Sequence, residues 1–158
     1  MVTDSILIKE ILVPIDGSDL SYKAARYAMH LAKADNAEVT ALNVIEDIKQ
    51  GGAIGLQAKY GKVSIVEAFK KVRRDSAQQW LSKLEREAHR QGVPFRGDII
   101  VDQYSSSEAG IINEYASKNN YDLIVIGSRG RSKFRRLVTG GVSTAVVNSS
   151  KIPVLVVR

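Results

Sequence analysis

Apolar residues along the chain fall into two alternating periods. Ile11 to Ile15 (Ile-Leu-Val-Pro-Ile) and Leu123 to Ile126 (Leu-Ile-Val-Ile) are nearly continuous apolar runs, the pattern of strands covered on both faces. Glu38 to Val44 alternates, with Val39, Ala41 and Asn43 set against Thr40, Leu42 and Val44. Phe95 to Val101 and Pro153 to Val157 add two further strands. Between the strands, apolar residues recur three and four apart, as on one face of a helix. Ala24, Ala25, Ala28, Leu31 and Ala32 form the first such stripe, with Ser18 or Asp19 placed to cap it. Val66, Phe69, Val72, Ala77, Leu81, Leu84 and Ala88 form the second, which Gly92 and Pro94 terminate. Ser105 with Glu108 makes a capping box for a third, through Ile111, Ile112, Tyr115 and Ala116. Val142, Ala145 and Val146 mark a fourth, short helix over Gly141 to Ser149.

Regular alternation of strand and helix predicts a parallel sheet with helices on both faces. The expected architecture is a single doubly wound α/β domain over residues 1–158, with five strands in the order 3-2-1-4-5. Pro14 is an objection, because a proline within a strand favours a sheet edge or a ladder irregularity. Residues 45–64 carry Gly51, Gly52, Gly55 and Gly61 without a sustained period, so they are expected to form a long loop or lid insertion. Trp80 lies near the apolar stripe of the second helix and is assigned to core or interface, not to ligand stacking.

Composition narrows the possible classes of function. The chain has 158 residues, 44% hydrophobic and 25% charged, ordinary values for a globular domain. Cysteine is absent, which removes disulfides, thiolate metal sites and cysteine nucleophiles and fits a reducing compartment. The first ten residues match neither a signal peptide nor an anchor, and no apolar run approaches a membrane span. The expected location is the cytoplasm, with no membrane partner. The net charge of +6 raises the question of nucleic acid, but the cations are scattered and aromatics are few, so nucleic acid is not the expected ligand.

Chemistry concentrates after the fourth strand. The chain breaks at Gly127 into a segment with Gly130, Gly140 and Gly141 and five cations, Arg129, Arg131, Lys133, Arg135 and Arg136, and then opens the short helix. Strand, glycine loop and helix N-terminus form an anion cradle. First-turn N–H groups have no partner within the helix, glycines admit a ligand to the main chain, and the cations add attraction. This is neither a Walker loop nor the closely spaced G-x-G-x-x-G of dinucleotide folds. In a doubly wound sheet the ligand lies beyond the carboxyl ends of the strands, where strand order reverses. With the order 3-2-1-4-5, that point lies between Asp16, after the first strand, and Gly127, at the end of the fourth.

The spacing Gly127, two residues, Gly130, nine residues, Gly140 resembles the ATP-binding motif of the universal stress protein family, G-x2-G-x9-G-[S/T]. The opening Ile-Leu-Val-Pro-Ile-Asp-Gly-Ser and the closing Ile-Pro-Val-Leu-Val-Val-Arg are similar to the same family, so the resemblance covers nearly the whole chain. It implies a Rossmann-like fold that binds ATP, ADP or AMP, in a protein of the stress response. Asp16 would contact the adenosine, and main chain around Pro14 and Val44 would line the adenine pocket. Ile126, Gly127, Arg129 and Gly130 would hold ribose and phosphates, and Gly140, Gly141, Val142 and Ser143 would complete the phosphate cradle. The residue after the third glycine departs from the pattern, because Gly141 stands where a serine or threonine is expected. One hydrogen bond to a charged group is thereby lost, at about 1.5 to 3 kcal/mol, or about ten- to hundredfold in affinity.

No convincing base, nucleophile or metal cluster accompanies the loop. His30 and His89 fall in predicted helices, and Asp16 could bring Mg2+ to the phosphates using one carboxylate and substrate oxygens. A nucleotide-binding regulatory protein is the first expectation. A dimeric interaction module that has lost nucleotide binding and a slow ATPase remain open. The apolar strand Pro153 to Val157 would form a sheet edge that needs cover, so a homodimer through that strand is expected, as the resemblance also implies.

Overall fold

The computed structural model describes residues 6–45, 63–102, 107–129 and 141–158, with the side chains of 63–65 outside the description. Its elements are β1 (Glu10–Pro14), α1 (Asp19–Asp35), β2 (Glu38–Ile45), α2 (Val63–Gln91), β3 (Phe95–Val101), α3 (Glu108–Lys118), β4 (Leu123–Gly127), α4 (Val142–Ser149) and β5 (Val154–Val157). The strands form one five-stranded sheet in the order β3-β2-β1-β4-β5, all pairs parallel, as the alternation predicts.

Side chains alternate between the two faces of each strand, and the two apolar layers show it. Ile11, Val13, Val39, Ala41 and Val125 pack with Ala24, Ala25 and Ala28 of α1 and Leu81, Leu84 and Ala88 of α2. Leu12, Leu42, Ile124 and Ile126 face the other way, onto Ile112 and Ala116 of α3 and Val146 of α4. The small-residue stripe of α1 brings that helix close to the sheet. Removal of one large buried side chain from either layer would cost about 2–5 kcal/mol.

Pro14 does not displace β1 from the centre. It is the last residue of the strand, paired with Leu42, while the ladder to β4 involves only Ile11 and Leu12. The missing N–H therefore falls where the β4 ladder has ended, and Ile15 N–H continues the β2 side by donating to Leu42 O at 2.8 Å.

Two expected boundaries shift. Ile45 closes β2 and Val63 opens α2, so the expected insertion over 45–64 narrows to 46–62, which lies outside the described residues. Helix α3 is capped by Ser107, whose Oγ accepts from Gly110 N–H at 3.1 Å. Ser105, the expected cap, lies outside the described residues. A Ser-Ser-Ser run offers three candidate caps, and the capping-box pattern selects the one two residues too early.

Candidate functional site

The carboxyl ends of β2, β1 and β4 lie side by side, and β1 is where the order reverses. Pro14, Val44 and Gly127 sit at or next to those ends, each half-buried, with Ile126 buried one residue earlier. Asp16 follows β1, also half-buried, and its Oδ1 accepts from Ser18 N–H at 2.9 Å. That bond orients the carboxylate at the start of α1. Ser18 Oγ in turn accepts from Ser21 N–H at 3.2 Å and caps the helix.

A neighbouring strand holds the same turn. Asn43 is buried in β2 and donates from Nδ2 to Ile15 O at 2.6 Å, fixing the carbonyl just before Asp16. Sequence patterning counts Asn43 only as one position of an alternating strand. An amide at a core-facing position was the available signal, because a buried amide needs partners.

On the β4 side, an added Cβ at Gly127 would lie 3.1 Å from main-chain and side-chain atoms of Leu20, so β4 and the start of α1 are in close approach. Ser128 N–H donates to Val157 O at 2.7 Å, and Ser128 O accepts from Ser143 Oγ at 3.0 Å. Ser143 is buried, and this bond ties the first turn of α4 to the end of β4. Arg129 is exposed beyond β4. Gly130 and Gly140, with Arg131, Lys133, Arg135 and Arg136, lie outside the described residues.

Helix α4 begins differently from α1 and α3. Its N-cap is Gly141, at φ −64° and ψ 171°, with no side-chain capping bond. An added Cβ at Gly141 would meet no described atom within 4 Å. Val142, the first helical residue, is half-buried. A helix start with no side-chain cap among the described residues offers first-turn N–H groups and the positive end of the helix dipole to an anion.

The structure thus brings together Pro14, Asp16, Val44, Ile126, Gly127, Gly141, Val142 and Ser143 at one end of the sheet. Among the described residues no group of three or more His, Cys, Asp or Glu could hold a metal ion. No described helix is long and apolar enough to cross a membrane.

These features define a doubly wound α/β domain with an open helix start at its switch point. Residues 8–158 match the model of the universal stress protein family, and the chain belongs to that family. Universal stress protein MJ0531 of Methanocaldococcus jannaschii is 34% identical over 152 residues, covering 96% of this chain and 83% of the relative. Universal stress protein YxiE of Bacillus subtilis is 34% identical over 157 residues, covering 96% and 100%.

Solved structures agree on the fold. The universal stress protein UspA from Lactobacillus plantarum superposes with a TM-score of 0.72 at 24% identity, covering 97% of this chain and 99% of that one. The universal stress protein from Archaeoglobus fulgidus, solved in complex with dAMP, has a TM-score of 0.66 at 17% identity, covering 97% and 100%. A universal stress protein family protein from Arabidopsis thaliana, with AMP bound, has a TM-score of 0.63 at 15% identity, covering 94% and 90%.

Proposed function

We propose that this protein binds an adenine nucleotide, ATP, ADP or AMP, in the crevice between the ends of β1 and β4 and acts as a regulatory binding protein. The observation that carries the reading is the start of α4, where Gly141 supplies no side-chain cap to the first turn and no described atom lies within 4 Å of where its Cβ would be. A phosphate satisfies such N–H groups directly. Support comes from family membership and from the two fold relatives solved with AMP and dAMP.

In this reading Asp16 accepts a hydrogen bond from the adenosine, and main chain at Pro14 and Val44 borders the base. Gly127, Arg129 and Gly130 meet ribose and phosphates, and Gly140, Gly141, Val142 and Ser143 complete the cradle. Ser143 contributes its main-chain N–H, since its hydroxyl donates to Ser128 O. A magnesium ion arriving with ATP has the Asp16 carboxylate at the crevice as a ligand. The protein works in the cytoplasm during stress and pairs as a homodimer through β5, an edge strand with Leu155 and Val156 more than a third exposed.

The test is calorimetric titration of nucleotide-free protein with ATP, ADP and AMP, with and without magnesium, repeated on Gly130→Val. Saturable binding that the valine removes supports the site. Absence of binding, checked by equilibrium dialysis, overturns it and leaves a dimeric interaction module as the better reading.

A further inference from the structure

Helix α2 follows β2 and ends just before β3, so it runs antiparallel to the strands, with its N-terminal end toward their carboxyl ends. Ala77, Leu81, Leu84 and Ala88 are buried against the sheet, whereas no residue from Val66 to Ser76 is buried. The helix therefore leaves the core beyond Ala77, about one turn past Trp80. Helical side chains lean toward the N-terminus of their helix, which here carries the indole toward the strand ends.

The indole arrives at Gly17. An added Cβ there would lie 2.6 Å from Cζ2 and 2.8 Å from Nε1 of Trp80. Gly17 has φ +78°, a conformation that residues with a Cβ rarely adopt, and it directly follows Asp16. Three hydrogen bonds already constrain this turn from β1 and β2: Ile15 N–H to Leu42 O, Asn43 Nδ2 to Ile15 O and Ser18 N–H to Asp16 Oδ1. Trp80 adds a constraint from the helix layer, pressing on the residue that those bonds leave unaddressed. The ring is half-buried, packed on the α1 and α2 side of the core.

We propose that Trp80 is a positioning residue for the nucleotide: its indole holds Gly17 in the left-handed turn and so presents the Asp16 carboxylate to the crevice. The proposal rests on the nucleotide reading given above. A carboxylate already fixed before binding forfeits less freedom when the ligand arrives, which raises affinity without any contact from the indole to the ligand. Sequence patterning assigns Trp80 to core or interface. Packing is half of its role here, and the other half follows from the residue it packs on.

Trp80 is the chain's only tryptophan, so its emission reports this one position. The parent, Trp80→Phe and Trp80→Ala are titrated with AMP by calorimetry, with folding of each checked by circular dichroism. Parent emission is followed in parallel. The expected result is an emission change that saturates at the calorimetric midpoint, about tenfold weaker AMP binding in Trp80→Ala, and recovery to within about threefold in Trp80→Phe, whose ring still covers Gly17. A folded Trp80→Ala protein that binds AMP like the parent overturns the proposal and leaves the nucleotide reading intact. If Trp80→Ala fails to fold, Trp80→Leu, which fills the layer without a ring over Gly17, decides by the same comparison of affinities. A parent that binds none of AMP, ADP and ATP overturns both readings.

Discussion

Two glycines stand before two helices at the same end of the sheet, and packing requires only one of them to be glycine. Gly17 precedes α1 at φ +78°, and the Trp80 ring occupies the place a side chain would take. Gly141 caps α4 at φ −64°, a backbone any residue adopts, with no described atom within 4 Å of where a Cβ would be. Internal packing accounts for the first glycine. Nothing in the described structure requires the second, and the family motif carries a serine or threonine at that place, so glycine there leaves the main chain of the first turn bare without being needed by the fold. The helices that follow repeat the contrast: Ser18 caps α1 with its own hydroxyl, whereas α4 has no side-chain cap.

The sharpest test of this contrast is alanine at each position. Gly17→Ala forces a Cβ into the indole and into a left-handed backbone. Strain of about 1–2 kcal/mol from the backbone adds to about 1–3 kcal/mol from overpacking. The expected loss is on the order of 2–5 kcal/mol, read as a fall of roughly 5 to 20 °C in thermal midpoint. Gly141→Ala meets no described atom, and only the poorer capping of alanine counts against it, at under about 1 kcal/mol. Equal losses at both positions would break the comparison.

Gly141→Ser comes next, with the effect on binding. The hydroxyl restores the residue type that the family motif carries. A full hydrogen bond to a phosphate is worth about 1.5–3 kcal/mol, but the same hydroxyl also caps the helix in the free protein. The net expectation is about tenfold tighter ATP binding and a few tenths of a kcal/mol of added stability, measured by calorimetry and urea denaturation. Tighter capping with weaker ATP binding would show that the N–H groups of α4 serve only the fold.

Ser18→Ala probes the capped partner. It removes the acceptor for Ser21 N–H while leaving Ser18 N–H on Asp16. The expected cost is about 1 kcal/mol of stability, visible in the denaturation midpoint. Nucleotide affinity should hold within about threefold, because the bond that orients Asp16 comes from the main chain.

Much of the fold was legible because parallel strands buried on both faces leave nearly continuous apolar runs, and Leu123 to Ile126 is such a run. The alternation implied a parallel sheet, and the expected order 3-2-1-4-5, which the structure shows, sets Asp16 and Gly127 at one end of it. Pairings between residues distant in sequence were not legible. Trp80 on Gly17 and Asn43 on Ile15 O each join two segments whose hydrophobic periods say only that both are partly buried. Periodicity reports how much a position is covered, not by what. Ser107 in place of Ser105 shows the same limit locally, since all three serines of the run carry the capping hydroxyl and only the backbone path selects one. Gly130 and Gly140, on which the motif rests, lie outside the described residues, so their part of the cradle stands as a proposal.

The opposite end of the sheet supplies the control, and the smallest effect. There Glu10 of β1 is paired in register with Glu38 of β2, and Asp122 Oδ2 accepts from the N–H groups of Lys9 at 2.7 Å and Glu10 at 3.0 Å. Burial raises the Glu10 carboxyl above its ordinary range, Glu38 and Asp122 push it the same way, and Arg96 opposes them. A carboxyl with a raised folded value binds its proton more tightly in the folded state. Its favourable contribution is fully present below the unfolded pKa and disappears as pH rises through the folded one, so at neutral pH the ionised Glu10 weakens the fold. Glu10→Gln should therefore stabilise the protein at pH 7. The group is half-buried, and its repulsions are screened where it meets solvent, which limits the gain to under about 1 kcal/mol. The gain should shrink to nothing below about pH 4, where the parent carboxyl is protonated in both states. Thermal denaturation across this range measures it, and nucleotide titration should find no change. An altered affinity in Glu10→Gln would mean that charge at the amino end of the sheet reaches the carboxyl end, and the separate treatment of Gly17 and Gly141 as local features would fail.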